Sequence, residues 1–245
     1  MQISNSIMLV TGASRGLGRA LVSESLRRGA RKVYAAARDP SVLSALVAAS
    51  EGRVVALQLD VTREASLSSA AERAPDVTLL VNNAGVLASF GLLTSSNDAI
   101  VQDFATNFYG VLATSKTFLP ALERAAARAS EAAIVNVLSV VSLASMPAIA
   151  GYSASKAAAS SITQALRADL AARRIGVHGV FAGAIDTDMT RGMDVAKTSP
   201  ADVARGILDG VERGEDEIFP DPTSRGIRAA WREDPKQVER QLSGL

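Results

Sequence analysis

"SIMLVTGASRGLGRALVSESLRRGA", residues 6–30, decides how the rest of the chain is read. Residues 6–12 form an apolar run that closes on glycine, and residues 17–30 carry apolar positions at helical spacing up to Gly29. An uninterrupted apolar run ending in a turn predicts a strand buried on both faces, and the spacing after it predicts a helix. Between them lies "TGASRGLG" (11–18), with Gly12, Gly16 and Gly18. Glycines at such a turn let the backbone reverse sharply and allow another group to approach it closely.

The same unit recurs along the chain. Strands are expected at 32–37, 53–61, 77–85, 132–139, 176–183 and 216–221. Helices are expected at 41–49, 64–74, 98–128, 152–173 and 200–213, with the long one at 98–128 bent or interrupted at Pro120. Alternating strands and helices with short connections imply a parallel sheet covered on both faces. The expected fold class is therefore α/β, a single doubly wound domain over 1–245 with seven parallel strands. Residues 221–245 are read as a charged C-terminal tail, a surface helix interrupted near Pro235.

Composition narrows the function. The 245 residues carry 26 basic and 25 acidic side chains, a net charge of +1, which argues against nucleic acid or an anionic membrane as partner. There is no cysteine and the one histidine is His178, so thiolate and histidine-rich metal sites are excluded, and no metal is expected. His178 lies within an expected strand with nothing in the sequence to pair with it and reads as structural. The start "MQISNS" lacks a basic, then apolar, leader, and no apolar run reaches membrane-spanning length, so a cytoplasmic protein is expected.

The glycine turn at the head of the first helix suits a pyrophosphate, because the helix N-terminus presents free N–H groups to an anion. A second motif is "GYSASKAAAS" (151–160), in which Tyr152 and Lys156, four residues apart, share one helix face among small neighbours. "TGASRGLG", "NNAG" (82–85), Asn107 in "TNFYG", Ser139 in "IVNVLS" and "YSASK" (152–156) stand in the order of the short-chain dehydrogenase/reductase family, and Ser139 precedes Tyr152 by the 13 residues that fit it. Over residues 6–221 the chain resembles that family, which implies a Rossmann fold.

The resemblance implies catalytic roles for Asn107, Ser139, Tyr152 and Lys156. A free phenol has a pKa of about 10, and a neighbouring cation favours its ionised form. Lys156 is such a cation, so Tyr152 is expected to be lowered and to exchange a proton with a carbonyl or an alcohol. Ser139 is expected to hydrogen-bond the substrate oxygen. By resemblance, Lys156 also holds the nicotinamide ribose and Asn107 carries a water toward Lys156. The implied cofactor contacts are Gly12, Ser14, Arg15, Gly16, Leu17 and Gly18 in the glycine turn; Arg38 after the second strand; Asp60 and Val61 at the adenine; Asn83, Ala84 and Gly85; Tyr152 and Lys156; and Gly183, Ile185 and Thr187 after the sixth strand.

Departures from the family pattern are visible. Leu138 stands where a second serine is frequent, and Ala182 replaces a proline, which leaves one backbone angle free and the rigidity of that loop in question. Asp186 and Asp188 read as solvated loop acids. Where an acid would grip a ribose 2′-hydroxyl the second strand ends in Ala37, followed by Arg38, and Arg15 stands in the glycine turn. Two guanidinium groups suit a 2′-phosphate, so NADP(H) is expected over NAD(H). Asp39, one or two residues off, leaves the opposite choice open.

Val141, Leu143, Met146, Ile149, Met189 and Met193 predict an apolar lining, suited to a hydrophobic ketone, aldehyde or acyl thioester. A carrier-protein substrate would need a basic patch beside it, with Arg124, Arg128, Arg173 and Arg174 as candidates. The expectation is an NADP(H)-dependent oxidoreductase acting on a small hydrophobic carbonyl or alcohol. The alternative, an NADP(H)-sensing protein on the same fold, should have lost Tyr152 or Lys156. By resemblance the chain is a homodimer or homotetramer through its long helices, with the charged tail favouring the dimer.

Overall fold

A computed structural model describes residues 1–128 and 131–244; Leu245, the end of the expected domain and tail, lies outside them. Seven strands form one sheet: β1 (Ile7–Thr11), β2 (Lys32–Ala37), β3 (Val54–Gln58), β4 (Leu79–Asn82), β5 (Ala132–Val137), β6 (Ile175–Val180) and β7 (Glu217–Ile218). Their order is β3-β2-β1-β4-β5-β6-β7 and every neighbouring pair is parallel. The chain winds one way from β1 to β3 and the other from β4 to β7. The strand ends diverge between β1 and β4, where a doubly wound sheet opens its crevice.

Period-two alternation divides the strand side chains between two cores. Met8, Val10, Val33, Ala35, Leu79, Val81, Ala133 and Val135 point to one face, packed by α1 (Gly16–Arg27) and α7 (Pro200–Glu212) through Leu21, Val22, Val203 and Ile207. Ile7, Leu9, Tyr34, Ala36, Leu80 and Ile134 point to the other, covered by α3 (Glu64–Arg73) and α5 (Val111–Ala127) through Leu67, Phe118 and Leu122. Both faces being dry over the central strands, these read as continuous apolar runs, whereas the edge strand β3 exposes Val55 and Gln58.

The remaining helices are α2 (Ser44–Ala48), α4 (Asn97–Phe104), α6 (Ala150–Ala171), α8 (Pro222–Glu233) and α9 (Pro235–Ser243). The long helix expected at 98–128 is interrupted, but not at Pro120. Pro120 sits inside a continuous α5 on its exposed face, where the carbonyl it leaves unpaired can reach water. The break is a π-helical turn at Ala105–Gly110, between α4 and α5. The tail is two helices, separated at Asp234, which caps α9. It is not a purely polar surface element: Ile227, Trp231, Val238 and Leu242 pack on the segment 140–149. Among the described residues no helix is long and apolar enough to cross a membrane.

Candidate active site

The C-terminal ends of β1, β4, β5 and β6 bring the sequence motifs together at one edge of the sheet. At the end of β1, Gly12 and Gly16 adopt φ of +68° and +54°, the left-handed region that favours glycine. Gly18 is required by space: a Cβ there would stand 2.2 Å from the Gly12 carbonyl oxygen and 2.6 Å from Asn83 Nδ2. The first turn of α1 carries no acid. This tight turn onto a helix N-terminus fits a dinucleotide pyrophosphate. Ser14 is partly exposed within it, whereas the Leu17 side chain enters the core and leaves only backbone to face a ligand.

Thr11 ties β1 to β4. Its hydroxyl accepts from Asn83 N (3.0 Å) and Ala84 N (2.9 Å). The Asn83 amide donates to Thr11 O at 2.8 Å and to Gly12 O at 3.3 Å, so this side chain braces the glycine turn. Gly85 lies between two groups of the site: a Cβ on it would meet Asn107 Oδ1 at 3.2 Å and Lys156 Nζ at 3.6 Å.

The π turn places Asn107 at full burial. Its Oδ1 accepts from Val86 N (2.9 Å), and its Nδ2 donates to Val86 O (2.9 Å) and Ser155 Oγ (3.0 Å). Single π turns concentrate at functional sites, because the extra residue re-aims one side chain. Val61 packs beside this turn, where a Cβ on Gly110 would come within 2.8 Å of it.

Ser139 lies two residues beyond β5 and caps the turn Val140–Ser142, accepting from Val141 N at 3.4 Å. Tyr152 and Lys156 stand one turn apart near the start of α6. Lys156 is buried, donates to Val137 O at 2.7 Å, and lies 5.8 Å from the centre of the Tyr152 ring. Burial pushes the Tyr152 phenol up to about 12, against a hydrogen bond from Ser139 that pulls it down, with Asp103 adding to the rise. Burial pushes Lys156 down to about 8, against the attraction of Asp103. Tyr152 is thus raised where a lowering by Lys156 is expected: desolvation of the phenol dominates, and the Lys156 ammonium gives its hydrogen bond to Val137 O.

After β6, Ala182 leaves a loop that is nonetheless held. Val140 N donates to Ala182 O (3.0 Å), Thr198 N to Ala184 O (3.0 Å), and Gly183 N to Asp221 Oδ2 (2.9 Å). Asp221 also caps α8, so the tail fixes the loop that the missing proline would have stiffened. Ile185 bridges to Thr198, and Thr187 Cγ2 would meet a Cβ on Gly16 at 3.0 Å. This loop and the glycine turn therefore abut.

The two arginines do not converge on one partner. Arg15 pairs with Asp188 at 2.9 Å, and Asp188 also pairs with Arg191. Arg38 is exposed beyond β2 and acts on Asp60, whose carboxyl burial raises but hydrogen bonds from Thr62 and the charges of Arg38 and Arg63 bring below its ordinary value. Asp39 is occupied elsewhere: it accepts from Ser41 N at 2.9 Å as the cap of a short helical turn.

Val141, Leu143, Met146, Ile149 and Met193 share one apolar cluster with Tyr152, whereas Met189 is 40% exposed and outside it. Sequence reasoning missed the other side of the wall: Leu87 from the β4 loop, and Ala230, Trp231 and Leu242 from the tail. The proposed basic patch is misplaced. α5 and α6 run antiparallel to the strands, so Arg124, Arg128, Arg173 and Arg174 fall at the opposite edge of the sheet. There Arg173 pairs with Glu123, Arg124 donates to Pro75 O and Arg174 to Ala126 O. His178 has a partner after all: its Nδ1 donates to Glu215 O at 2.6 Å, away from Tyr152.

The short chain dehydrogenase family profile matches residues 6–197. The chain is 34% identical over 221 residues to the 3-oxoacyl-[acyl-carrier-protein] reductase FabG of Salmonella typhimurium, covering 86% of this chain and 87% of that one. A short chain dehydrogenase from Burkholderia cenocepacia, solved in complex with NADP, superposes with a TM-score of 0.91 at 36% identity over 99% of both chains. A short chain dehydrogenase/reductase from Burkholderia phymatum, solved with NAD, gives 0.84 at 25% identity over 98% of this chain and 96% of that one.

Proposed function

The chain belongs to the short-chain dehydrogenase/reductase family of oxidoreductases, and from that premise we propose that it reduces a hydrophobic ketone or aldehyde with NADPH, or oxidises the corresponding alcohol with NADP⁺. The observation that carries the reading is the convergence of Ser139, Tyr152 and Lys156 beside an apolar wall and across Gly85 from Asn107.

A bound nicotinamide dinucleotide supplies or accepts the hydride. The glycine turn and the start of α1 would hold its pyrophosphate, and Lys156 its nicotinamide ribose. Asp60, Val61 and Asn83 to Gly85 would line the adenosine half, with Ile185 and Thr187 at the carboxamide. Tyr152, kept protonated by burial, donates its phenolic proton to the carbonyl oxygen. Ser139 donates a hydrogen bond to that oxygen as charge builds on it. Lys156 remains largely cationic at neutral pH, which favours the phenolate left behind.

Arg38 supports the preference for NADPH, with Arg15 able to join it by leaving Asp188. The apolar wall favours a substrate with a bulky hydrophobic group, and the absence of Arg124, Arg128, Arg173 and Arg174 from this edge speaks against a carrier protein docked on them. A cytoplasmic homodimer or homotetramer completes the proposal, to be checked by fractionation and sedimentation. The deciding experiment follows NADPH oxidation across a panel of aliphatic and aryl ketones and aldehydes. Turnover that disappears in Tyr152→Phe supports the reading. Cofactor binding with no turnover on any member would favour a sensor.

A further inference from the structure

Asp103 lies on α4, one helical turn before Asn107, and is completely buried. Its Oδ1 accepts from Ala88 N at 2.8 Å. Its Oδ2 accepts from Ser89 N at 3.2 Å and from Ser89 Oγ at 2.5 Å. Asn107 holds Val86 through both its amide atoms. Two side chains from one helix face thus clamp the backbone 86–89 that leaves β4.

The clamp reaches the start of α6. A Cβ on Gly151 would stand 2.3 Å from Ser89 Oγ, so the residue before Tyr152 rests directly on the hydroxyl that Asp103 fixes. A three-bond carboxylate under a helix start is more than packing requires, since an apolar residue would cover Gly151 without burying a charge. Resting on the proposed activity, we propose that Asp103 is a positioning residue for the Tyr152–Lys156 pair: through Ser89 it sets the seat of α6, and with it the place of both side chains on the first turns of that helix.

Electrostatics agree with the geometry. Apart from burial, Asp103 is the one group acting on Lys156, and it favours the ammonium. The groups acting on Tyr152 are Ser139, from the turn after β5, and again Asp103. Among the described residues, Asp103 is thus the acid that acts on both members of the pair. Because the carboxylate also disfavours the phenolate, removing it moves both groups downward.

The test titrates Lys156 in the protein without cofactor, using ¹³C-labelled lysine and NMR, with Lys156→Ala to assign the signal. In Asp103→Asn the Lys156 midpoint is expected to fall by about one pH unit, the scale on which a charge acts across a protein interior. Its turnover is expected to fall ~10-fold or more, since small misplacement of reacting groups is costly. The alkaline limb of its pH–rate profile should move to lower pH. Ser89→Ala keeps the charge and loses the seat, so turnover falls while the midpoint stays. If Asp103→Asn does not fold, Asp103→Glu replaces it: the expectation is lost turnover with the midpoint kept, and wild-type turnover overturns the positioning role. An Asp103→Asn protein with an unmoved midpoint and wild-type turnover overturns the proposal. The NMR readout needs no catalysis, so a wild-type protein that reduces no carbonyl defeats the proposed activity while leaving the Asp103–Lys156 coupling separately tested.

Discussion

The Lys156 ammonium lies 5.8 Å from the centre of the Tyr152 ring while donating a 2.7 Å hydrogen bond to the Val137 carbonyl, at the end of the strand that leads to Ser139. One interaction fixes the lysine to the sheet, and the other keeps its charge beside the phenol. Burial makes each group prefer its neutral form, so a protonated phenol stands beside an ammonium that is easily deprotonated. That arrangement suits proton donation to a carbonyl, and it has measurable consequences.

Tyr152→Phe removes the hydroxyl and keeps the ring that packs against the buried group around Val141 and Ile149. Folding and cofactor affinity should be nearly unchanged. General acid–base catalysis typically contributes about 10²–10⁴-fold, so kcat should fall by at least that range. Near wild-type turnover in the folded variant would remove Tyr152 from the chemistry. The check is steady-state kinetics alongside circular dichroism.

Lys156 makes stability depend on pH in a direction that can be worked out. Its folded value, about 8, is below its ordinary value of 10.5. Between these values the unfolded chain binds more protons than the folded one, so stability rises with pH across the window. Measured without cofactor, the wild type should gain about 3 kcal/mol relative to Lys156→Met between pH 8 and 10.5, and little below pH 7. Urea unfolding of both proteins at several pH values measures the difference. A gap that does not change with pH would mean that Lys156 titrates normally.

Trp231 belongs to the tail and packs against the same buried apolar group, Val140, Val141, Ala144 and Ile149 with Ile227 and Val238, as Leu143, Met146, Met193 and Tyr152 do. Trp231→Ala should open the apolar wall while leaving the Tyr152 and Ser139 hydroxyls in place. Burying or losing even one methylene shifts specificity by about 1–3 kcal/mol. The ratio of kcat/KM for an aryl ketone over a small aliphatic ketone should therefore fall about tenfold or more. An unchanged ratio in the folded variant would place Trp231 in a purely supporting role.

The sheet was legible because strands buried on both faces are written as apolar runs, and β2 falls on the expected residues, Lys32–Ala37. The glycine turn was legible because Gly12, Gly16 and Gly18 answer backbone constraints that no other residue meets. Long-range partnerships were not. Asp103 looks like any helix acid until the loop 88–89 folds over it, and Asp221 like any turn residue until Gly183 N meets it. The charges of "WREDPKQVER" concealed an amphipathic pair of helices, in which a few apolar residues at helical spacing suffice to dock. Pro120 drew attention because proline breaks helices, yet the break fell at the π turn, for which the sequence carries no comparable marker.

Cofactor choice tests the arginines directly. Arg38 is free of ion pairs within 4 Å among the described residues, while Arg15 must leave Asp188 to reach a phosphate. Charge-assisted hydrogen bonds contribute about 1.5–3 kcal/mol each, so NADPH should bind about one to two orders of magnitude more tightly than NADH through Arg38. The double variant Ala37→Asp with Arg38→Ala supplies an acceptor for the ribose hydroxyls, repels a 2′-phosphate and removes its partner, so NADH should become the better cofactor. Asp188→Asn frees Arg15 and should strengthen NADPH binding if that guanidinium takes part. Titration of both cofactors into the three proteins separates these outcomes. A double variant that still prefers NADPH would assign the phosphate to Arg15, and equal affinities in the wild type would show that both arginines only face solvent.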